Sequence, residues 1–257
     1  MKKRIVIKIG TNVLADNTGK IDYKLMESLV NDVAEIKSKN NEIIIVTSGA
    51  IGSGMSELGI KERPKDVKMQ QACAAVGQSI LISKYREFFN KGNIKVAQIL
   101  LTYDDLSDKQ SGINMGNSIS TLLNMGVIPI INENDPISIN EIGPSFGDND
   151  KLSAMVACKV KADILVILTS VDGLYDKDPN KKDAKIIREV RDFDGFVSSI
   201  DGTSDGLGIG GIKTKISAAK LAAGCGITTI IANGKVKSNL IRMDKGENIG
   251  TIFYPQK

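Results

Sequence analysis

The sequence predicts an α/β fold, a mostly parallel central sheet sandwiched between helices. Three observations point to it. Short β-branched runs alternate with longer segments of helical periodicity along the whole chain. The first run, RIVIKI at 4–9, is apolar almost throughout, as expected of a central parallel strand. Small and polar residues follow several of these runs, at the carboxyl ends where doubly wound sheets keep their ligand sites.

In chain order, strand 4–9 ends at Gly10, with Lys8 interrupting it near its tip. A lysine there is either an edge residue or a functional group, and its position favours function. Residues 22–39 form a helix on Leu25, Leu29, Val33 and Ile36, with Asp22 as N-cap. Strand 42–47 runs into Thr47-Ser48-Gly49-Ala50-Ile51-Gly52, a turn whose backbone N–H groups can face a ligand; a plain β–α turn is the competing account. Residues 66–91 are helical with a break expected at Gly77. Strand 94–102, helix 110–125 and strand 127–132 follow, the last containing Pro129. Directly after it stand Asn132, Glu133, Asn134 and Asp135, a polar cluster at a strand's carboxyl end. Residues 137–147 suit a loop or short hairpin. Gly147-Asp148-Asn149-Asp150 then opens a helix at 150–161; capping accounts for one acid, and the other polar side chains suggest more. Strand 163–169 leads into Ser170–Tyr175, followed by a charged loop and an ambiguous stretch at 186–200. A strand at 228–232, a helix at 238–243 and a strand at 251–254 close the chain.

Gly206 to Lys220, GLGIGGIKTKISAAK, carries the clearest ligand signal. Its glycines run into a helix whose buried face is Ile212, Ile216, Ala219 and Ala223. Unpaired N–H groups and the helix dipole favour an anion there. Lys213 and Lys215 stand in the first turn, where the dipole disfavours a cation unless a polyanion is bound. Gly206, Gly208 and Gly211 match the dinucleotide fingerprint only formally, because a polar run rather than a strand precedes them, and no P-loop pattern occurs.

Composition bounds the function. The 257 residues are 42% hydrophobic and 25% charged, with net charge +4 and 4% aromatics. The balance suits acidic small molecules and argues against nucleic acid. The absence of histidine excludes His-dependent triads and the usual zinc sites. Cys73, Cys158 and Cys225 are far apart and each lies in an apolar helical context, so free buried thiols are expected. No signal peptide or membrane span is recognisable. A cytoplasmic protein with no membrane partner is expected, either one large domain or two small ones.

The polar groups sort into a cationic or N–H-rich set and an acidic or amide set, which is what phosphoryl transfer needs. KIGTNVL, VTSGAIGSG, INENDP, FGDNDKLSA, LTSVDGLY and GIGGIKTK, in this order, resemble glutamate 5-kinases of the amino acid kinase superfamily. The resemblance covers essentially the whole chain. It implies a single amino acid kinase domain over 1–257, with an amino-acid-substrate part to about 160 and a nucleotide part from about 161. It implies ATP and Mg2+, and phosphorylation of the γ-carboxylate of L-glutamate, the first step of proline synthesis.

Carried onto this chain, the resemblance makes Lys8, Asp150 and Lys215 catalytic, with Asp150 holding the two lysines. Ser48, Asp135 and Asn149 would bind glutamate; by its chemistry the Asn149 amide can donate to a substrate carboxylate. Lys8, Thr169, Ser170, Ile209, Gly210, Gly211, Ile212, Lys213, Thr214 and Lys215 would bind ATP. No protein metal site is implied. A homo-oligomer and inhibition by proline are implied as well. Ser170 stands where many relatives have aspartate, and the C-terminal PUA domain of many bacterial relatives is not expected. Other members of the superfamily, acting on N-acetylglutamate, aspartate or nucleoside monophosphates, are the alternative. A non-catalytic sensor would be expected to have lost Lys8, Asp150 or Lys215.

Overall fold

The computed structural model describes residues 2–16, 20–137, 149–177, 181, 183–193, 195–196 and 211–255. Within them the strands are β1 (Arg4–Ile9), β2 (Glu42–Thr47), β3 (Val96–Leu101), β4 (Ile128–Glu133), β5 (Ile164–Thr169), β6 (Leu174–Tyr175), β7 (Ile186–Ile187), β8 (Glu189–Val190), β9 (Thr228–Asn233) and β10 (Gly250–Phe253). The helices are α1 (Thr11–Leu14), α2 (Tyr23–Ser38), α3 (Ala50–Glu57), α4 (Val67–Asn90), α5 (Tyr103–Ser107), α6 (Lys109–Asn124), α7 (Asp150–Lys159), α8 (Gly211–Gly224) and α9 (Asn239–Asp244).

Eight strands form one sheet in the order β3-β4-β2-β1-β5-β9-β10-β8, and only the β9–β10 pairing is antiparallel. The mostly parallel sheet expected from the sequence is therefore present. The chain leaves β1 towards β2 on one side and leaves β5 towards β9 on the other. The adjacent strands β1 and β5 thus flank the point where the winding reverses, where open α/β sheets bind their ligands.

Side chains alternate along β1 and divide the core in two. Ile5, Ile7 and Ile9 face α2, α4 and α9, packing with Leu29, Val33, Leu81 and Leu240. Val6 faces the other way, in the layer built from α6, α7 and α8 with Ile119, Val156 and Ala219. Lys8 shares the parity of Val6 and is fully buried. The face predicted for α8 is correct: Ile216, Ala219 and Ala223 are buried in this layer.

Local signals explain several helix starts. The Asp22 carboxylate accepts from the N–H groups of Lys24 and Leu25, and Asp66 caps α4 by accepting from Met69. The break expected at Gly77 does not occur: α4 runs unbroken from Val67 to Asn90. The glycine serves a crossing instead, because a Cβ there would lie 1.9 Å from the Ala50 carbonyl oxygen on α3. Helix α3 itself stands where the sequence suggested only a turn. Its glycines and serines hide it from propensity, and packing against α4 holds it.

The cysteine expectation needs correction. Cys73 is a buried free thiol, but Cys158 and Cys225 form a disulfide with Cα atoms 5.7 Å apart. The cause is topological. Helices α7 and α8 run parallel with their starts together, so the end of α7 meets the residue after α8 although 67 positions separate them. Cys225 is exposed and open to exchange with solvent thiols. Closing so long a loop stabilises a fold by about 2–4 kcal/mol. Dithiothreitol is therefore expected to lower the urea midpoint of the oxidised protein by that equivalent, and to leave the midpoint of a Cys158→Ser variant where it is. An oxidised protein indifferent to the reductant would contradict the pairing.

Candidate active site

Burying Lys8 among isoleucines would be costly unless its charge were matched. The match is Asp150, the first residue of α7, also fully buried. Lys8 Nζ lies 2.9 Å from Asp150 Oδ1, and Lys215 Nζ lies 3.0 Å from Asp150 Oδ2. Thr214 Oγ1 donates to the same Oδ2 at 2.9 Å. One carboxylate thus spans two lysines that come from the tip of β1 and the start of the second turn of α8. The cluster carries two positive charges and one negative, and its excess charge suits a phosphoryl group in transit.

Lys213 differs from Lys215 in being exposed. The cation expected to trouble the dipole at position 215 is matched by Asp150, with or without a bound polyanion. Ile209 and Gly210, like Asp148, Gly206 and Gly208, lie outside the described residues. Gly211 begins α8.

Next to this cluster lies a cavity of about 280 Å³ lined by Asn12, Thr169, Ser170, Tyr175, Ile212 and Lys215, among others. It brings together four of the residues expected at the nucleotide. A larger cavity, near 580 Å³, is lined by Lys2, Lys37 and Glu42 near the amino ends of β1 and β2, away from the Lys8–Asp150–Lys215 cluster.

On the other side of Lys8 the ends of β2 and β4 supply Ser48, Asn132 and Asp135, all buried, and the residue before α7 supplies Asn149. Asn149 sits at φ 54°, a left-handed conformation that asparagine tolerates better than most side chains. Its Nδ2 donates to the Thr47 carbonyl at 2.8 Å and to Asn132 Oδ1 at 2.9 Å, with a longer contact to Ser48 Oγ at 3.3 Å. The sequence leads one to expect Asn149 to donate to a substrate carboxylate; in this structure its Nδ2 donates within the protein. Its amide protons are spent within the protein, and the atom left over is the acceptor Oδ1, buried and without a partner among the described residues. The turn is braced further by Thr47 Oγ1, 2.9 Å from the hydroxyl of Tyr85 on α4. Burial raises the pKa of that phenol well above its ordinary value and keeps it neutral, although the Thr47 hydrogen bond acts the opposite way. The sequence does not single out Gln78 or Tyr85, because nothing in an amphipathic helix marks which polar residue turns inward.

The family model described as the amino acid kinase family matches residues 3–233. The chain belongs to the amino acid kinase family. Among curated relatives, the glutamate 5-kinase of Caldanaerobacter subterraneus subsp. tengcongensis is 48% identical over 256 residues, covering 99% of this chain and 68% of the relative. That of Methanosarcina barkeri is 47% identical over 263 residues, covering 99% and 69%. The chain thus spans roughly two thirds of the length of these relatives. Solved structures of UMP kinase from Ureaplasma parvum (TM-score 0.68, 21% identity, 99% of each chain) and Bacillus anthracis (TM-score 0.66, 20% identity, 99% and 97%) share the fold. No described helix is long and apolar enough to cross a membrane.

Proposed function

We propose that the chain phosphorylates the γ-carboxylate of L-glutamate with ATP, giving L-glutamyl 5-phosphate in the first step of proline synthesis. The observation that carries this is the buried Lys8–Asp150–Lys215 cluster, set between a nucleotide-sided cavity and the polar ends of β2 and β4. Close kinship to glutamate 5-kinases selects the acceptor. In this proposal the amino-acid site belongs to residues up to about 160 and the nucleotide site to those from about 161. Cytoplasmic location, assembly of several copies and inhibition by proline belong to the same proposal.

ATP enters as its magnesium complex. Among the described residues no three acidic, cysteine or histidine side chains gather, and both Asp150 oxygens are engaged. Such a donor set suits an ion carried mainly by the phosphates. A γ-carboxylate oxygen attacks the γ-phosphorus, the bond to the β–γ bridging oxygen breaks, and ADP departs. Lys8 and Lys215 neutralise charge on the moving group and its leaving oxygen. A glutamate side chain in water titrates at about 4.3, so the acceptor is ionised at neutral pH and no general base is needed. Asp150, tied to both lysines, positions them.

The α-ammonium of glutamate loses water on binding and needs acceptors, for which Asp135 offers a carboxylate. N-Acetylglutamate lacks that charge. ADP release is expected with L-glutamate and not with N-acetylglutamate, aspartate or UMP. Asp135→Asn should raise the KM for glutamate by roughly 10-fold or more, the value of a charge-assisted contact, and leave that for ATP unchanged. Equal turnover of the two glutamates, or an unmoved KM, would refute the assignment.

A further inference from the structure

Behind Asn149 stands a chain of buried amides that reaches helix α4. Asn132 Nδ2 donates to Gln78 Oε1 at 2.7 Å, and Asn149 Nδ2 donates to Asn132 Oδ1 at 2.9 Å. Gln78 and Asn132 are both buried, as is Asn149. An amide can normally turn over and exchange its donor and acceptor ends. Here the sense of the whole chain is set from its Thr47 end. The Thr47 carbonyl can only accept, so Asn149 must present Nδ2 to it. Asn132 must then offer oxygen to Asn149, which leaves its Nδ2 to find an acceptor, and Gln78 Oε1 is that acceptor. The outcome is a single unmatched acceptor at this end of the chain, the buried Asn149 Oδ1, without a partner among the described residues. Ser48 keeps the opposite polarity: its oxygen takes the longer Asn149 contact, and its own proton has no acceptor among the described residues.

We propose that Gln78 and Asn132 are positioning residues that lock Asn149 as a hydrogen-bond acceptor, and that this lock makes the site selective for an acceptor substrate bearing an α-ammonium. The inference rests on glutamate being the substrate and adds what distinguishes it from a plain dicarboxylate. An ammonium can only donate, so it gains from Oδ1 and would be repelled by a turned amide presenting Nδ2. Removing the Gln78 acceptor leaves Asn132 Nδ2 buried without a partner. Asn132 is then held in its sense by Asn149 alone, with an amide proton left unmatched, and the lock on Asn149 weakens.

The test compares L-glutamate with glutarate, which has the same two carboxylates and no α-ammonium. Wild-type, Gln78→Met and Gln78→Glu proteins are assayed for kcat/KM with each acid and for the KM of ATP. Methionine keeps the volume and removes the acceptor. Glutamate keeps acceptor oxygens facing Asn132, and the lock uses only an acceptor. Gln78→Met is expected to lower the glutamate-to-glutarate preference by roughly 10-fold or more, by loss of kcat/KM on glutamate alone, with the ATP KM unmoved. Gln78→Glu should retain the wild-type preference. Equal losses on both acids in the methionine variant would mean general disruption and would overturn the proposal. Loss of preference in Gln78→Glu would overturn it too, and decides the matter even if the methionine variant does not fold. Wild-type protein that turns over neither acid would instead refute the glutamate assignment itself.

Discussion

Asp150→Ala is expected to lower kcat by roughly 10³-fold and to destabilise the fold by about 3–5 kcal/mol. The two effects have one cause. Lys8 is fully buried and Lys215 nearly so, and the carboxylate lies within 3.0 Å of both. Without it, two like charges face each other in a largely buried space, and neither is held where a phosphoryl group would arrive. Thr214 also loses the oxygen it donates to. An exposed lysine pair would lose almost nothing by the same change, since surface ion pairs are worth under about 1 kcal/mol. A further outcome separates this account from ordinary core damage. Bound MgATP brings negative charge to the lysines, so it should raise the Tm of the variant by more than that of the wild type. Asp150→Asn, which keeps the shape, should lose comparable activity and less stability. A variant with kcat within about 10-fold of wild type would remove Asp150 from its positioning role.

The alternation of strands and helices makes the fold class legible in the sequence, but not the strand order. Strand order depends on which crossovers turn left or right of β1, and nothing local to RIVIKI encodes that. Lys8 is legible because a lysine near the end of an apolar strand is costly unless it has a task or a partner. Asp150 is legible only as one of several acids, since a helix-start aspartate also serves as a cap; in the structure its oxygens face lysines instead. The polarity of Asn149 cannot be read at all. It depends on a carbonyl 102 positions away, at the end of a strand on the other side of β1. The Cys158–Cys225 link is hidden for the same reason, being a consequence of two helices lying parallel. Helix α3 escapes a local reading because its glycines signal a turn, and their value appears only where α4 crosses it.

That crossing carries the second large effect. Gly77→Ala should improve α4 by about 1 kcal/mol on helix propensity alone, since alanine is the better helix former. Contact reverses the sign. The added Cβ would lie 1.9 Å from the Ala50 carbonyl oxygen and 2.3 Å from the Gly54 nitrogen, both backbone atoms that no side-chain rotation can move. The facing surface is equally tight: a Cβ on Gly54 would lie 1.8 Å from the Cys73 carbonyl oxygen. The helices must separate, which costs about 3 kcal/mol as overpacking and exceeds the propensity gain. Separation also moves function. Ala50 opens α3 just after Ser48 and Gly49, and Gln78 follows Gly77 on the helix that would be displaced. The urea midpoint of Gly77→Ala should therefore fall by the equivalent of about 2 kcal/mol net, and the KM for glutamate should rise while that for ATP, whose proposed cavity lies beside β5, stays within about 3-fold. A variant as stable as wild type would mean that α3 and α4 can part freely, and the close crossing would then have no part in holding Ser48 and Gln78 in place.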